Sequence, residues 1–214
     1  MKYDIIIWDF NGTLLDDVDF CYGILVKLLT NHNVPLVSKY EYKEKFSFPV
    51  IEYYREIGFD VEDGKYNALS IEFMKHYQEL SLKCSLYPKI KETLSLIKNL
   101  GCIQVCLSAS QIDNLKQQLL HFNIDKYFDY VLGLDNIHAK SKIHIGQNWI
   151  KENRYENKKI LCIGDSSHDF EVANALNADC VLMSYGHYNK HRLEAHGCPV
   201  FDNTDQLVNY LLNT

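Results

Sequence analysis

Two apolar runs that each end at an aspartate constrain the fold of this chain more than any other feature. Near the N-terminus, a run ending at Trp8 is followed by Asp9-Phe10-Asn11-Gly12-Thr13-Leu14-Leu15-Asp16, and far downstream Ile160-Leu161-Cys162-Ile163 leads into Gly164-Asp165-Ser166-Ser167-His168-Asp169. Each pattern is typical of a buried strand followed by a polar turn that contains glycine. Because ligands bind at the carboxyl ends of strands in an open α/β sheet, Asp9, Asp165 and Asp169 are predicted to share one crevice. Clustered carboxylates need a cation, and Mg²⁺ is well suited to carboxylate and water ligands.

Strand and helix patterns alternate along most of the chain. Strands are predicted at 3–9, 102–107, 130–132, 160–163 and 180–183, with helical apolar spacing between them, as at Ile90, Leu94 and Ile97. A last helix is expected after Asn203, a residue type favoured at the N-cap. Such alternation predicts an α/β fold, namely a three-layer, doubly wound parallel sheet of the Rossmann-like kind.

One long segment interrupts this alternation. From about Asp16 to Lys83 the pattern is helical, with clusters of aromatic residues. The segment is interpreted as an inserted helical cap, so residues 1–15 and 85–214 are predicted to form a catalytic core and residues 16–84 a cap domain. The hinges are expected near 15–17 and 81–86. A chain of 214 residues suits one domain with such an insertion.

The charge and apolar patterns exclude several classes of protein. The formal net charge is −6 and Lys and Arg form no run, which argues against a nucleic-acid partner. No apolar stretch approaches the length of a transmembrane helix and no signal-peptide pattern is present, so a membrane partner is not expected either. The seven cysteines are scattered without a Cys-x-x-Cys pair, which favours reduced thiols in a cytoplasmic protein. The sequence does not determine the oligomeric state.

The two strand-end motifs supply the candidate catalytic and metal-binding carboxylates. Asp9 is the candidate nucleophile, because a carboxylate can attack phosphorus and form an aspartyl-phosphate. Gly12 permits a tight turn, so that main-chain N–H groups can face an oxyanion. Asp165 is expected to bind the metal directly, and Asp169 to bind it through water or to orient the site. The alternatives are a turn aspartate at position 9 and ordinary aspartates at a helix N-terminus at 165 and 169.

Two segments between these motifs offer groups for a phosphoryl oxygen. Ser108 follows a predicted strand, and its hydroxyl and the N–H of Ala109 could hold such an oxygen. Lys142 could neutralise the phosphoryl group, with Lys140 as a competing candidate. The alternatives are a turn or capping serine and a solvated surface lysine.

These segments, in this order, resemble the haloacid dehalogenase-like hydrolase superfamily, and in particular its phosphoglycolate phosphatase-like members with a helical cap. The resemblance rests on Asp-x-x-Gly-Thr-Leu-x-Asp, a strand-end serine, a lysine and Gly-Asp-x-x-x-Asp, and it covers nearly the whole chain. It favours Lys142 over Lys140. It implies that Asp9 is the nucleophile, that the Asn11 carbonyl and Asp165 bind Mg²⁺ with Asp169 in support, and that Ser108 and Lys142 bind the phosphoryl group.

The chain departs from the family pattern at Asn11. Phosphatases of the family usually carry Asp there, as general acid and base, and an amide cannot exchange that proton. General acid–base catalysis is typically worth about 10²–10⁴-fold. Either the substrate has a good leaving group, or another residue such as His168 or Asp16 supplies the proton, or the chain is a weak catalyst that binds phosphate compounds.

The predicted cap is expected to decide substrate choice by closing over the site. Residues that could contact substrate are Phe46, Phe48, Tyr53, Tyr54, Lys43, Lys45 and Arg55, although the aromatics are also interpreted as the core of the cap itself. His187, His191 and His196 suggest a zinc site, but Gly186 and Asn189 favour a loop at the rim of the active site or facing solvent.

The sequence thus predicts a Mg²⁺-dependent phosphatase that acts on a small phosphorylated metabolite, by resemblance a phosphoglycolate-like monoester. The alternatives are a phosphotransferase or mutase, a dehalogenase in which Asp9 attacks carbon, and a phosphate-binding regulatory module. The carboxylates at 165 and 169 oppose the dehalogenase, which needs no metal.

Overall fold

The structure is a computed structural model that describes residues 2–134 and 142–213, apart from the side chain of Glu79. Its strands are β1 (Ile5–Trp8), β2 (Leu15–Asp16), β3 (Ser85–Leu86), β4 (Ile103–Gln111), β5 (Tyr130–Leu134), β6 (Ile160–Gly164), β7 (Asp179–Met183) and β8 (Val200–Phe201). Its helices are α1 (Val18–Asn31), α2 (Lys39–Lys45), α3 (Val50–Glu56), α4 (Lys65–Leu80), α5 (Ile90–Asn99), α6 (Ile112–His121), α7 (Ile143–Glu152), α8 (Ser167–Ala175), α9 (Lys190–Glu194) and α10 (Thr204–Asn213). No described helix has both the length and the apolar character needed to span a membrane.

The main sheet has the strand order β5-β4-β1-β6-β7-β8, and all its paired strands run parallel. β1 lies in the middle, with Trp8 opposite Cys106 on one side and Ile163 on the other. Since β1 is buried on both faces, it reads as a continuous apolar run. The predicted doubly wound parallel sheet is confirmed.

Two apolar clusters cover the two faces of the sheet. Ile6 and Trp8 pack in the cluster that includes α5, α6 and α10, whereas Ile5 and Ile7 pack in the cluster that includes α7, α8 and α9. This alternation follows from the two-residue period of a strand, which sends successive side chains to opposite faces. Three layers result, as the sequence predicts.

Helices α1 to α4 form a third apolar cluster, which contains Leu25, Leu28, Tyr53 and Tyr54 among its buried members. The two segments that connect these helices to the sheet pair with each other as the antiparallel strands β2 and β3. The predicted hinges fall on this pair. The division into a core and a cap at residues 16–84 stays a prediction, and the name cap is kept below for α1 to α4.

Several strand bounds differ from the predicted ones, most of all at β4, and the short strands β2 and β3 were not predicted. β4 continues to Gln111, and its pairing with β5 shifts register between Leu107 and Gln111, so Ser108 lies in a bulged continuation of the strand instead of beyond its end. β8 was not predicted, because two residues carry too little pattern to be recognised. The capping role of Asn203 is confirmed, since its Oδ1 accepts a hydrogen bond from the Gln206 N–H at 3.0 Å.

Candidate active site

Three carboxylates meet at the carboxyl edge of the sheet. Asp9 follows β1 and Asp165 follows its neighbour β6, so the strand pairing itself brings them together. Asp169 lies in the first turn of α8. One oxygen from each carboxylate lies within 4.8 Å of the others. The predicted convergence of these residues is therefore what the structure shows.

Asp169 serves as a helix cap and as a site residue through different oxygens. Its Oδ2 accepts hydrogen bonds from the N–H groups of Asp165 and Ser166 and from the Ser166 hydroxyl, which completes a capping box at the start of α8. Its Oδ1 faces Lys142 at 2.7 Å. The two sequence interpretations of this residue are compatible, because the capping box of α8 orients the Asp169 carboxylate toward Lys142.

Lys142 is buried between two of the carboxylates. Its Nζ lies 2.5 Å from Asp9 Oδ1 and 2.7 Å from Asp169 Oδ1. Burial alone would lower the pKa of Lys142, but Asp169 and Asp9 raise it above its ordinary value. The ammonium is thus charged and held at Asp9. Lys140, the competing candidate, lies outside the described residues.

The cluster carries more negative charge than Lys142 neutralises. Burial, together with Asp169 and Asp165, raises the pKa of Asp9 to about 8 despite the lysine, and burial raises the pKa of Asp165 to about 6. Burial would also raise the pKa of Asp169, yet Lys142 lowers it below the ordinary value. A protonated Asp9 cannot act as a nucleophile. A divalent cation among these oxygen donors would keep it ionised, and hard oxygen ligands fit Mg²⁺.

Asp165 is fixed by the turns that surround it. It accepts hydrogen bonds from the Thr13 hydroxyl at 3.1 Å and from the His187 N–H at 2.6 Å. Gly12, at φ +72°, and Gly186 press against it so closely that an added Cβ would come within 2.4 Å and 2.2 Å of Asp165 Oδ2. Gly12 therefore supplies close approach as well as the predicted turn.

Ser108 lies in the bulge of β4, at the same edge of the sheet. Its hydroxyl is buried, contacts the Ser110 hydroxyl at 3.1 Å and accepts a hydrogen bond from the Ser110 N–H. Ser108 and Ala109 both line the cavity that contains the carboxylates. The bulge turns these groups toward the site, as bulges near active sites often do. Their predicted role in phosphoryl binding stays a prediction.

Asn11 is fixed by three polar neighbours. Its Nδ2 donates to Asp17 Oδ2 at 2.8 Å and to the Tyr77 hydroxyl at 2.5 Å, and its Oδ1 accepts from the Ser110 hydroxyl at 3.0 Å. The amide is therefore part of a specific network in which the amide donates to a buried carboxylate. An aspartate at position 11 would meet the carboxylate of Asp17.

Asp17 and His187 form a buried pair that the sequence did not predict. Asp17 Oδ1 lies 3.3 Å from His187 Nε2 and also accepts the Gly12 N–H at 2.9 Å. The Tyr42 hydroxyl contacts His187 Nδ1 at 2.7 Å. Burial opposes both charges, but each partner favours the other, so the pKa of Asp17 is lowered and that of His187 is raised. Only tertiary contact links these distant positions, although the Asp16-Asp17 repeat after the first motif was a local signal.

The other candidate histidines have separate partners. His191 faces Glu44 at 3.0 Å on the surface, and His196 contacts the Ser167 hydroxyl at 2.8 Å. The candidate metal clusters of the described residues include His187 but neither of these, so the suggested three-histidine zinc site is not formed. His187 is buried in the cavity wall, whereas the sequence favoured a rim or solvent-facing loop.

The two candidate substitutes for the missing acid differ in position. His168 lines the cavity, and its Nδ1 faces Glu171 at 3.1 Å. Asp16 belongs to β2, where it pairs with Ser85, and it is exposed and absent from the described lining of the cavity. His168 therefore remains in reach of the site, and Asp16 does not.

The cap encloses one end of the cavity with aromatic side chains. The candidates Phe46, Phe48, Tyr53 and Tyr54 all line it, and Tyr53 and Tyr54 also belong to the buried core of the cap, so the two sequence interpretations are compatible and contact with a substrate stays a prediction. The cap meets the core directly, since Phe48 contacts the ring of His168 with centroids 5.1 Å apart.

The candidate cap cations Lys43, Lys45 and Arg55 are not among the described residues that line the cavity. Arg55 pairs with Glu52 at 2.5 Å, and Lys45 lies 3.9 Å from Glu56. These two pairs lie on the partly exposed surface of the cap. Lys43 differs, since it is half-buried and Asp165 opposes the lowering of its pKa by burial, so its contact with the substrate stays a prediction.

Comparison with known sequences identifies the family. A sequence model described as haloacid dehalogenase-like hydrolase matches residues 6–183, so the chain belongs to this family. Among curated relatives, a phosphoglycolate phosphatase from Nitrosococcus oceani is 25% identical over 98% of this chain and 93% of its own length. A phosphoglycolate phosphatase from Haemophilus influenzae is 30% identical, but the match covers only 59% of this chain and 57% of that enzyme.

Solved structures share the whole fold at low identity. A predicted phosphatase from Clostridium acetobutylicum is 20% identical, with a TM-score of 0.82 and full coverage of both chains at 100%. A haloacid dehalogenase-like hydrolase from Streptococcus pneumoniae is 13% identical, with a TM-score of 0.84 over 98% of this chain and 99% of that one. At such identities the likeness shows the fold alone.

Proposed function

We propose that this chain is a Mg²⁺-dependent phosphatase that hydrolyses a small phosphate monoester through an aspartyl-phosphate on Asp9. The observation that carries the proposal is the convergence of Asp9, Lys142, Asp165 and Asp169 at one end of a cavity enclosed by the cap. Membership of a hydrolase family and the phosphatase names of the relatives support it.

The oxygen-rich cluster defines where the metal would bind. Asp9, Asp165, the main-chain carbonyl of Asn11 and, directly or through water, Asp169 would hold Mg²⁺. The ion would neutralise the excess negative charge of the cluster and of the phosphate group. The high pKa of Asp9 without a cation supports this need.

The protein groups then divide the work of phosphoryl transfer. An ionised oxygen of Asp9 attacks phosphorus, and the bond from phosphorus to the leaving oxygen breaks with its electron pair on that oxygen. Lys142, which Asp169 holds in place, stabilises the negative charge first on Asp9 and then on the phosphoryl oxygens. The Ser108 hydroxyl and the N–H of Ala109 stabilise another phosphoryl oxygen. Water then attacks the aspartyl-phosphate and releases inorganic phosphate and Asp9.

The names of the relatives bear on the substrate. The curated matches quoted above are phosphoglycolate phosphatases, which supports the prediction of a phosphoglycolate-like monoester. The partner is then a small phosphorylated molecule, with neither nucleic acid nor membrane. The seven cysteines are all free thiols, which supports the predicted cytoplasmic location.

A second candidate is a phosphate-binding regulatory module with little catalysis, and Asn11 is the observation that favours it. A phosphotransferase, in which a second hydroxyl accepts the phosphoryl group, would use the same four residues. The regulatory module and the two enzymes all bind phosphate, but only the phosphatase and the phosphotransferase need Asp9 as a nucleophile. Beryllium fluoride mimics the aspartyl-phosphate and therefore separates the module from the enzymes. Mg²⁺-dependent stabilisation by beryllium fluoride that is lost in Asp9→Ala supports an enzyme.

Hydrolysis of p-nitrophenyl phosphate tests the proposal. The leaving group needs little protonation, so Asn11 should not hide the activity. We expect turnover that requires Mg²⁺ and vanishes in Asp9→Asn, whose side chain has nearly the same shape. Turnover without Mg²⁺, or unchanged turnover in Asp9→Asn, would contradict the proposed chemistry.

A further inference from the structure

The cavity above the carboxylates has a predominantly apolar wall on the side of the cap. That wall includes the side chains of Phe48, Val50, Tyr66, Phe73 and Met74. The carboxylates and Lys142 come from the core, whereas the cap contributes mostly apolar and aromatic side chains, with Ser70 and the tyrosines as its polar members. A phosphate monoester bound at the carboxylates and Lys142 would therefore place its organic part against largely apolar and aromatic surface, where an apolar group gains most from burial.

Within residues 2–134 and 142–213, Lys142 is the only lysine or arginine that lines the cavity. It is already engaged by Asp9 and Asp169 and would serve the phosphoryl group. The two histidines of the lining also have acidic partners, since His187 faces Asp17 and His168 faces Glu171. A carboxylate on the organic part, as in phosphoglycolate, would find no unpaired cation in the described lining of the cavity, and a buried carboxylate without a cation is costly.

The size of the cavity suits a single ring. Its volume is about 230 Å³. An apolar cavity of about 150 Å³ is large enough for benzene, so the space holds one aromatic ring together with a phosphoryl group. The surrounding rings of Phe48, Tyr66 and Phe73 allow the stacked and edge contacts that aromatic groups prefer.

Asn11 points to the same kind of substrate for a chemical reason. No acid at this position can protonate a departing alkoxide. A phenol has a pKa of about 10, as tyrosine does, so a phenolate can leave without a proton. An aryl phosphate therefore needs the missing acid least.

On the basis of the proposed phosphatase function, we infer that the substrate is the phosphate monoester of an uncharged phenol, whose single ring binds against the aromatic wall of the cap. Phosphoglycolate and other carboxylate-bearing phosphates are then poor substrates, so this inference replaces the phosphoglycolate-like monoester that the names of the relatives suggest. Contacts of the ring determine the binding affinity, and the phenolate can leave without the proton that Asn11 cannot donate.

The test compares Mg²⁺-dependent phosphate release from phenyl phosphate, benzyl phosphate and phosphoglycolate. We expect kcat/KM for phenyl phosphate to exceed that for phosphoglycolate at least about 100-fold, because phosphoglycolate would bury a carboxylate without a cation. Benzyl phosphate should have a similar KM and a lower kcat, because it has the ring but an alcohol as leaving group. Equal or faster turnover of phosphoglycolate would overturn the substrate class alone. No Mg²⁺-dependent turnover of any of the three or of p-nitrophenyl phosphate would overturn the proposed function as well.

Two cap variants test the wall itself. Phe73→Ala should raise KM for phenyl phosphate about tenfold or more, whereas Phe20→Ala, at a ring that also contacts Tyr77 but does not line the described cavity, should not change KM. Met74→Lys places a cation in the wall and should raise kcat/KM for phosphoglycolate about tenfold or more. Equal losses in the two phenylalanine variants, or no gain for phosphoglycolate in a folded Met74→Lys, would contradict the inferred binding mode.

Discussion

At the scale of single residues, two buried side-chain pairs determine the hydrogen bonding and the charge next to the site. Asn11 and Asp17 form a donor–acceptor pair, since the amide of one donates to the carboxylate of the other at 2.8 Å. Asp17 and His187 form a second pair in the same buried network. Both pairs lead to predictions that separate geometry from chemistry.

Exchanging the two partners tests the first pair. Asn11→Asp alone sets two buried carboxylates against each other and should cost about 1–3 kcal/mol or more of stability. Adding Asp17→Asn restores one donor between them and should recover most of that loss. The double variant should also raise turnover of benzyl phosphate, within the range of about 10²–10⁴-fold that a general acid supplies. Urea unfolding and phosphate release check both effects, and a double variant no more stable than the single one would contradict the pairing.

The second pair should make stability depend on pH. Because Asp17 outweighs burial and raises the pKa of His187 above its ordinary 6.5, the stabilisation is complete below about pH 6.5 and is lost as pH rises through the folded-state pKa. The stability difference between wild type and His187→Gln should therefore be larger at about pH 6 than at about pH 9. Chemical unfolding at both values measures it. Phe20→Leu, which changes no titratable group, is the control, and a difference that does not shrink with rising pH would refute the pairing.

At the scale of elements, the site is built where strands end in glycine-containing turns. The turn after β7 brings Gly186 so close to Asp165 that there is no room for a side chain, because an added Cβ would lie 2.2 Å from Oδ2. The position of the Asp165 carboxylate is thus fixed by the backbone of another segment. The capping box of α8 does the same for Asp169.

Gly186→Ala should displace Asp165 and weaken Mg²⁺ binding. Loss of an orienting contact next to a metal ligand typically costs about 10–100-fold in affinity. Calorimetric titration of Mg²⁺ measures the effect. Gly23→Ala in α1 is the matched control, because its added Cβ meets nothing within 4 Å and should leave Mg²⁺ affinity unchanged. Unchanged affinity in Gly186→Ala would show that Asp165 is not a ligand or can adjust.

At the scale of the whole molecule, the sheet concentrates negative charge at one edge and the cap encloses it. The cap rests on the core through α2, where Tyr42 contacts His187 and Arg192 Nη1 donates to the Lys43 carbonyl at 2.8 Å. The buried charge should couple metal binding to global stability. Ligand binding to the native state alone adds about 2.7 kcal/mol at a concentration 100 times Kd.

Saturating Mg²⁺ should therefore raise Tm, compared with a potassium salt at the same ionic strength. Asp165→Asn should have a higher Tm than wild type without Mg²⁺, because it removes a buried carboxylate whose pKa burial, together with Asp169, raises to about 6. It should also lose the Mg²⁺ effect. Thermal unfolding followed by circular dichroism measures both. A full increase of Tm by Mg²⁺ in Asp165→Asn would show that the metal binds outside this cluster.

The sequence by itself determined the fold class and the identity of the carboxylate cluster. Those signals are local: apolar runs fix the strands, and an aspartate at the end of each strand must lie at the carboxyl edge of a parallel sheet. Asp9 and Asp165 follow from that rule, and Asp169 follows because it lies four residues after Asp165, at the start of the next predicted helix.

Only the tertiary structure decided what surrounds the cluster. The contact of Asp17 with His187, the bulge at Ser108 and the orientation of Lys142 between Asp9 and Asp169 join residues far apart in sequence. No periodicity encodes such contacts, since they depend on how packed elements bring side chains together. The apolar wall of the cavity has the same origin, because apolar cap residues look alike in sequence whether they face the core of the cap or a ligand.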